Sequence, residues 1–504
     1  MRRLLRLGVL AAAPWPLVYA CATPALVRAY PRKTVIRVLY LAAYVAAGAL
    51  CTVFLPLLLV PFAIVAAAGT LTGLWLMRPS AGRSAHRPPG SLSLVPVRQF
   101  VDEGFIERQI ERFGTVTKTT WPTLTAPVVC VYGLRRGADF LRANGTRLGP
   151  VGIAFNPLIP AGFLRNMAPG DHRRYKRLFQ ETLTDAVVEA RLADFNRAIG
   201  DALAALATAG EQGVDPRPHL VRATVTAFAP LLLGVESGSP EAARAVAVYE
   251  GMGEFFEPPA HNSEAGRQSL AAVEELDAIV RHGAAQARAT QGMGREPMPS
   301  VVAEIAREEP EALDDPNVTL NLALLLRTAS TDVASLLHWT MKTLGDHPQW
   351  CTRVREDGAG DVARRVVLET LRLHQSEFIQ REALEPFQID GYEIPAGWFI
   401  RVCVRESHRD PAVFADPDAF DPDRFAGRRF SAYEYSPFGR LEHRCIGVTT
   451  TLALASILVT KLSGDYDWRV VRDGPSEFNR YHRRPSRHFR VRLEPRRPGE
   501  LQLA

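Results

Sequence analysis

The stretch FGRLEHRCIG, residues 438–447, decides the fold. It sets one cysteine, Cys445, between Gly439 and Gly447, shortly before the apolar, helix-forming run TTTLALASILVTKL. Glycines let a backbone approach a bound group closely. A thiolate near a helix N-terminus is stabilised by the exposed amides and the helix dipole, and three neighbouring basic residues add positive charge. The stretch predicts a cysteine that works as a thiolate, against the alternative of a buried structural cysteine.

Composition excludes several other classes. The chain has 504 residues and six scattered cysteines without CxxC spacing, so a disulfide framework or a zinc site of cysteine pairs is not indicated, and a reducing cytosolic compartment fits best. A net charge of +6 is mild for this length and indicates a basic flank facing anionic lipid rather than nucleic-acid binding. Walker, HExxH, GxSxG and complete dinucleotide-binding motifs are absent.

Two further motifs precede the cysteine stretch. In ETLR, Glu369 and Arg372 share a helix face at i, i+3, and FDPDRF contains Arg424. Alone, such a pair most often consists of solvated helix charges. In this order, ahead of the cysteine loop, the two motifs support one another.

Together these motifs resemble the cytochrome P-450 family, in which a loop F-G-x-G-x-[HR]-x-C-x-G carries the cysteine that ligates haem iron. The matching residues are Phe438, Gly439, His443, Cys445 and Gly447, while Leu441 stands where the second glycine is usual. By this resemblance, Cys445 is the axial ligand of the iron of haem b. Glu369, Arg372 and Arg424 form a structural charge network behind the haem.

The resemblance extends over nearly all of residues 88–504. GDHRRYKRLF is similar to the helix that contacts the haem from the earlier part of the chain, with Lys176 where arginine is usual. The family pairs such cations with the haem propionates, a role that any well-placed cation can serve. By resemblance, the residues in this role are His172, Lys176, Arg381 and His443.

The pattern of the soluble part predicts a mainly α fold with small β-sheets. Extended segments, TVTKTTW and PVVCVYG, come first, and a late strand, HFRVRL, spans 488–493. The longest helix is predicted from Val318 to about Leu344, introduced by DDPN and closed by a glycine and a proline. Its LNLALLL segment is apolar on every face, which indicates burial on all sides.

This central helix departs from the family pattern A-G-x-[DE]-T-[TS], which delivers protons to oxygen. Thr331 stands where the acid belongs and Asp332 where the threonine belongs. We expect Asp332, together with Thr331, to form a rewired catalytic relay in which Asp332 handles protons at the oxygen site. The alternative is that Asp332 is a helix residue that only turns into a polar pocket. Arg327 is one residue before the position where peroxide-using fatty-acid members hold the substrate carboxylate. It is either such an anchor or part of a salt bridge.

The segment after the E-x-x-R helix also departs from the family. His374 and Gln375 replace the expected proline in LRLHQSEFIQR. Because this segment normally lines the substrate pocket, the substrate is not indicated by the resemblance.

The N-terminal region predicts a membrane anchor over residues 1–87. From Val38 to Met77, 40 consecutive residues carry no charge, about twice the roughly 20 needed to cross a bilayer, with Pro56 and Pro61 near the middle. Basic residues flank both ends of this helical hairpin, so both ends and the 88–504 haem domain are expected in the cytoplasm. The apolar segment 7–27 is an interfacial or re-entrant segment, a third span or a signal peptide.

The leading hypothesis is a membrane-anchored haem-thiolate monooxygenase. It would insert one oxygen atom from O2 into a lipophilic small molecule, with electrons from NAD(P)H through a ferredoxin and reductase or a similar donor. One alternative is a peroxygenase, or an isomerase or dehydratase of an oxygenated lipid. Another is a haem-binding membrane protein without turnover.

Overall fold

The structure is a computed structural model of the chain. The ranges that it describes are 87–90, 104–120, 127–150, 163–164, 167–208, 210–252, 264–375, 379–479 and 482–496. Before residue 87 it describes Ile64 and Ala67, both helical and exposed. The predicted hairpin 38–77 otherwise lies outside the described residues, as does the segment 7–27, so both stay predictions.

The regular elements follow one another in a mixed order of helices and short strands. In chain order they are α1 (Phe105–Phe113), β1 (Val116–Thr120), β2 (Pro127–Tyr132), α2 (Leu134–Asn144), β3 (Leu148–Gly149), α3 (Pro169–Thr182), α4 (Asp185–Glu189), α5 (Leu192–Ala207), α6 (Arg217–Leu233), α7 (Pro240–Met252), α8 (Glu264–Gly292), α9 (Val301–Glu308), α10 (Pro316–Asp346), α11 (Gln349–Glu356), α12 (Asp361–Thr370), β4 (Ile379–Ala383), β5 (Phe387–Ile389), β6 (Tyr392–Ile394), β7 (Phe399–Cys403), α13 (Val404–Ser407), α14 (Val448–Asp465), β8 (Tyr466–Arg472), β9 (Glu477–Asn479), β10 (His482–Arg484) and β11 (Arg490–Pro495). The predicted class, mainly α with small sheets, is confirmed.

The chain divides into two compact units. The first takes residues 1–148, 378–406 and 478–481, and the second takes 149–377, 407–477 and 482–504. Each unit has an apolar core of its own. The predicted boundary between anchor and haem domain at residue 88 stays a prediction.

The first unit is built on a five-stranded sheet with the order β1-β2-β7-β4-β3. Strand β2 runs antiparallel to β1 and parallel to β7, and its PVVCV residues are all buried. A near-continuous apolar run is typical of a strand covered on both faces. A Cβ at Gly137 of α2 would lie 2.4 Å from Cγ1 of Val402 on β7, so the glycine allows this helix to lie close against the sheet.

The second unit is helical, and α10 passes through its core against α6, α8 and α14. Asp315 begins this helix by accepting a hydrogen bond from the Asn317 backbone N–H, at 2.8 Å, and Pro316 occupies the first turn. The predicted long central helix is therefore confirmed, with two more residues at each end. Among the described residues, α10 is also the one helix long and apolar enough to cross a membrane, but 56% of its most apolar window is buried inside the protein.

The α12 helix continues past the point where the family's proline is expected. After Thr370 it adds one π-helical turn, Leu371–Gln375. Without a proline, neither a missing N–H nor a ring clash ends the helix there. His374 in this turn stacks on Trp339 of α10, with ring centroids 4.3 Å apart and planes 4° apart. Where the family has a proline, this chain therefore has a π-helical turn whose histidine packs against the central helix.

Candidate functional site

The cysteine stretch forms a tight loop before α14. Its backbone uses two left-handed residues, Gly439 with φ 72° and Leu441 with φ 52°. Glycine adopts this conformation without strain, whereas a leucine there costs about 1–2 kcal/mol. The leucine that replaces the family's second glycine therefore keeps a glycine-like backbone.

Cys445 lies at the end of this loop. Its backbone N–H donates to the carbonyl of Phe438 at 2.8 Å, which closes the loop, and α14 begins at Val448 after Gly447. The Cys445 side chain is accessible to solvent. Protein nevertheless surrounds it closely enough that burial raises the pKa of the thiol. A side chain that is both accessible and surrounded lines a recess rather than the outer surface.

The charge environment of the Cys445 thiol is mixed. Burial is the largest effect and raises the pKa of the thiol, and the backbone N–H of Gly447 opposes it. Asp332 raises this pKa further, while Lys176 and Arg444 lower it. The helix end and the cations predicted from the sequence lower the pKa of the thiol, but burial has the larger effect and the pKa is raised overall. Coordination to a metal ion deprotonates such a thiol.

One side of α10 has accessible surface within the second unit. The partly buried residues along this side are Leu324, Leu325, Thr328, Ala329, Thr331, Asp332 and Ser335. Asp332 lies close enough to Cys445 for its charge to act on the thiol. The expectation of a helix buried on all sides is therefore corrected here, because this side keeps accessible surface.

The hydroxyl of Thr331 is held by its own helix. It donates to the Thr328 carbonyl at 2.9 Å and lies 3.4 Å from the Arg327 carbonyl and from Oδ1 of Asp332. Backbone carbonyls within one turn are the usual partners of a helical threonine. The carboxylate of Asp332 is thus the acidic group that this part of the helix presents beside the cysteine.

Arg327 lies on a different side of α10. Five residues separate it from Asp332, which corresponds to about 140° around the helix. Its side chain is 9% exposed, and burial lowers its pKa to about 10, while Tyr249 and Asp332 favour the charged form. The sequence did not indicate Tyr249, a residue of α7 whose hydroxyl donates to the Ala323 carbonyl at 2.6 Å. A distance of 74 residues along the chain leaves no local signal for this contact.

Three of the four predicted propionate-binding cations come together at the cysteine loop. His172 and Lys176 lie on α3 and are buried, and the His172 ring lies 4.1 Å from the His443 ring. The Lys176 ammonium donates to the Glu442 carbonyl. Arg381 lies on β4 of the first unit and donates to the Gln380 carbonyl at 2.6 Å.

The predicted charge network is present. Glu369 and Arg372 form a bidentate pair, with Nε–Oε2 at 2.7 Å and Nη2–Oε1 at 2.8 Å, and both side chains are fully buried. Arg424 adds a hydrogen bond from Nε to Oε1 of Glu369 at 2.9 Å. Arg372 also donates to the carbonyls of His408, Pro417 and Ala419. The network therefore ties α12 to the segment 408–424.

The described residues fit a haem. The thiol of Cys445 lies in a recess, Asp332 on α10 lies within electrostatic range of it, and cations gather at the loop. A thiolate donor and cations for two carboxylates are the groups that an iron porphyrin requires.

Comparison with known proteins points the same way. A family model described as Cytochrome P450 matches residues 160–462. A Mycobacterium tuberculosis protein named as cytochrome P450 137 is 30% identical over 230 residues, which are 44% of this chain and 48% of that protein. Abscisic acid 8'-hydroxylase 2 of Arabidopsis thaliana is 30% identical over 182 residues, 32% of this chain and 38% of the relative. The match thus spans half or less of the length of these curated relatives.

Solved structures share the fold. The retinoic acid-bound cyanobacterial CYP120A1 has a TM-score of 0.67 and 20% identity, covering 82% of this chain and 100% of that one. A variant of cytochrome P450 OleT in complex with arachidonic acid has a TM-score of 0.63 and 16% identity, covering 78% and 94%. At these identities the likeness concerns the fold alone.

Proposed function

The chain belongs to the cytochrome P450 family, and on that basis we propose that it is a membrane-anchored haem-thiolate monooxygenase acting on a lipophilic small molecule. The observation that carries the proposal is the position of Asp332 on the accessible side of α10, where its charge acts on the Cys445 thiol. A thiol and an acid thus lie within electrostatic range of each other in one unit. When bound, haem supplies an iron centre whose thiolate ligand favours cleavage of the O–O bond.

In this proposal the cysteine loop and α3 hold the haem. Cys445 Sγ would ligate the haem iron, Gly447 donates its N–H toward the sulfur, and Phe438 and Gly439 shape the loop. His172, Lys176 and His443 would neutralise the propionates, since all three lie at the loop. Arg381 joins them on the family resemblance alone.

Asp332 is proposed to move protons on the side of the site opposite Cys445. The Thr331 hydroxyl donates to a helix carbonyl, whereas the Asp332 carboxylate has the acid–base chemistry that the reaction needs. The variant Asp332→Asn keeps the shape and removes the acid, so turnover should fall about 100-fold or more while electrons are still consumed. Thr331→Val is the matched control and should change turnover little. Intact coupling in Asp332→Asn would reject this role.

The substrate, electron donor and location are proposed from sequence and family. The uncharged run 38–77 with basic flanks supports a cytoplasmic haem domain, 88–504, on a hairpin anchor within 1–87. Relatives and structural neighbours named with abscisic acid, retinoic acid and arachidonic acid support a lipophilic substrate. Electrons would come from NAD(P)H through a ferredoxin and reductase. Extraction of the full chain by detergent but not by alkaline carbonate would support the anchor, and release by carbonate would reject it.

Arg327 motivates the second candidate, a peroxygenase or a lipid isomerase or dehydratase. Its burial, its interaction with Tyr249 and its turn of about 140° away from Asp332 favour a structural role over a substrate anchor. The monooxygenase therefore remains the leading proposal.

One experiment separates these functions. The purified full-length protein is incubated with a lipophilic cell extract and either a ferredoxin, reductase and NAD(P)H or hydrogen peroxide alone, and products are compared by mass spectrometry. A product heavier by one oxygen only with the electron supply supports the monooxygenase. Product with peroxide alone, or a rearranged product of unchanged mass, supports the second candidate. No product under any condition supports a haem protein without turnover, and Cys445→Ala is the background control.

A further inference from the structure

His408 is a fully buried histidine outside the cysteine loop, the Glu369–Arg372 motif and the FDPDRF motif that contains Arg424. Its exposed fraction is 0%, and its ring Nε2 accepts a hydrogen bond from the Ser436 backbone N–H at 2.9 Å. An imidazole nitrogen that accepts a hydrogen bond carries no proton, so the ring is neutral with its proton on Nδ1. Burial and the charge of Arg372 lower the pKa of His408 to about 3, which keeps the ring neutral at physiological pH.

The backbone of the same residue joins the buried charge network. The carbonyl of His408 accepts a hydrogen bond from Nη1 of Arg372 at 2.8 Å. Arg372 is itself fixed by its bidentate pair with Glu369. The position of His408 is therefore determined by a charge-assisted hydrogen bond, one of the stronger kinds in proteins.

Ser436 carries this connection into the cysteine loop. It is 5% exposed, and its Oγ donates to the Gly439 carbonyl at 3.0 Å, while the Gly439 N–H lies 3.3 Å from the Ser436 carbonyl. The next carbonyl before Gly439, that of Phe438, accepts the hydrogen bond from the Cys445 N–H at 2.8 Å. Hydrogen bonds, joined by the covalent structure of His408, Ser436 and the Phe438–Gly439 peptide, thus connect the Glu369–Arg372 pair to the backbone of Cys445.

We propose that His408 is a positioning residue for the Cys445 thiolate, which it connects through Ser436 to the buried charge network. The inference rests on the proposed function, because it assigns Cys445 as the haem ligand. Groups that orient a metal ligand without touching the metal tune how that ligand binds. His408 acts by accepting one backbone hydrogen bond, and it takes no part in the chemical step.

The test compares side chains that keep or lose this acceptor. His408→Leu removes it and leaves the Ser436 N–H buried without a partner. His408→Gln places an amide oxygen near the position of Nε2, and His408→Asn carries the same amide one methylene short of it. His338 offers a matched control, since it is 3% exposed, has a pKa lowered to about 3 by burial and packs on Phe489, with ring centroids 5.4 Å apart.

The readout is the absorption of the carbon monoxide complex of the reduced holoprotein, which distinguishes thiolate from other ligation, together with the reduction potential. We expect the non-thiolate fraction to rise at least several-fold in His408→Leu and His408→Asn, and to return toward wild type in His408→Gln. His338→Leu should leave the ligation unchanged. Wild-type ligation in His408→Leu, or in His408→Asn if the leucine variant does not fold, would overturn the proposal.

The proposed function and the role of His408 fail through different results. If the wild-type protein binds no haem through a thiolate, the proposed function fails. If wild type shows thiolate ligation and the His408 variants match it, the inference fails alone.

Discussion

Removing the charge of Glu369 should be one of the most destabilising single changes in the second unit. Its carboxylate accepts four hydrogen bonds, from Nε and Nη2 of Arg372, Nε of Arg424 and the Asp421 backbone N–H, at 2.7–3.0 Å. Both side chains of the Glu369–Arg372 pair are 0% exposed, and Arg424 is 8% exposed. Glu369→Gln keeps the shape but leaves two buried guanidinium groups without a countercharge. Breaking a buried pair in this way costs about 3–5 kcal/mol.

The chain contains a matched control for this change. Arg222 and Glu250 also form a bidentate pair, at 2.6 Å and 2.9 Å, but their side chains are 62% and 39% exposed. Solvent screens such a pair, so Glu250→Gln should cost less than about 1 kcal/mol. The two variants make the same chemical change and differ in burial.

The free energies of unfolding are obtained from urea titrations of both variants and wild type, as the midpoint shift multiplied by the m-value. We expect a difference of at least about 2 kcal/mol between the variants. Equal costs for Glu369→Gln and Glu250→Gln would refute the argument that burial decides the contribution of the network.

Three further predictions concern stability. Burial holds the pKa of His338 and of His408 at about 3, below the ordinary 6.5 of the unfolded chain, so the unfolded state binds more protons below pH 6.5. Each histidine therefore lowers the free energy of unfolding by about 1.4 kcal/mol per pH unit below pH 6.5. Urea titrations from pH 7 to 5 should show a shallower loss of the free energy of unfolding in His338→Gln than in wild type, and an unchanged dependence on pH would contradict this. Leu441→Gly should raise the melting temperature relative to Leu441→Ala, because glycine relieves a positive φ that costs a residue with a Cβ about 1–2 kcal/mol. A lower melting temperature for the glycine variant would show that the backbone is not strained. Gly137→Ala should lower the free energy of unfolding, measured by urea titration, by about 1–3 kcal/mol through its clash with Val402. The same substitution should cost less in a Val402→Ala background, and an equal cost in both backgrounds would contradict the clash.

Motifs with short-range spacing made much of the protein predictable. The FGRLEHRCIG loop closes on itself through a hydrogen bond between Phe438 and Cys445, which are seven residues apart, so its conformation depends on local spacing. The long α10 helix follows from its capping residues and apolar run. The Glu369–Arg372 pair is a one-turn interaction, and the family resemblance supplied its third member, Arg424.

Contacts between distant segments were not predictable in the same way. Apolarity indicated that α10 is buried, but only packing decided that the side with Asp332 stays accessible and lies within electrostatic range of Cys445. The π-helical turn after Thr370 and its stacking on Trp339 also depend on which helix lies beside it.

The sequence by itself determined the family and the mainly helical class and singled out Cys445 as the candidate ligand, because each depends on residue types at short, regular spacing. The tertiary structure alone decided that His408 joins the charge network to Ser436 and the cysteine loop. His408 and Ser436 are 28 residues apart, and neither carries a local signal of the other. A hydrogen bond of this kind exists only where the packing of the intervening chain brings donor and acceptor within about 3 Å and excludes water from both.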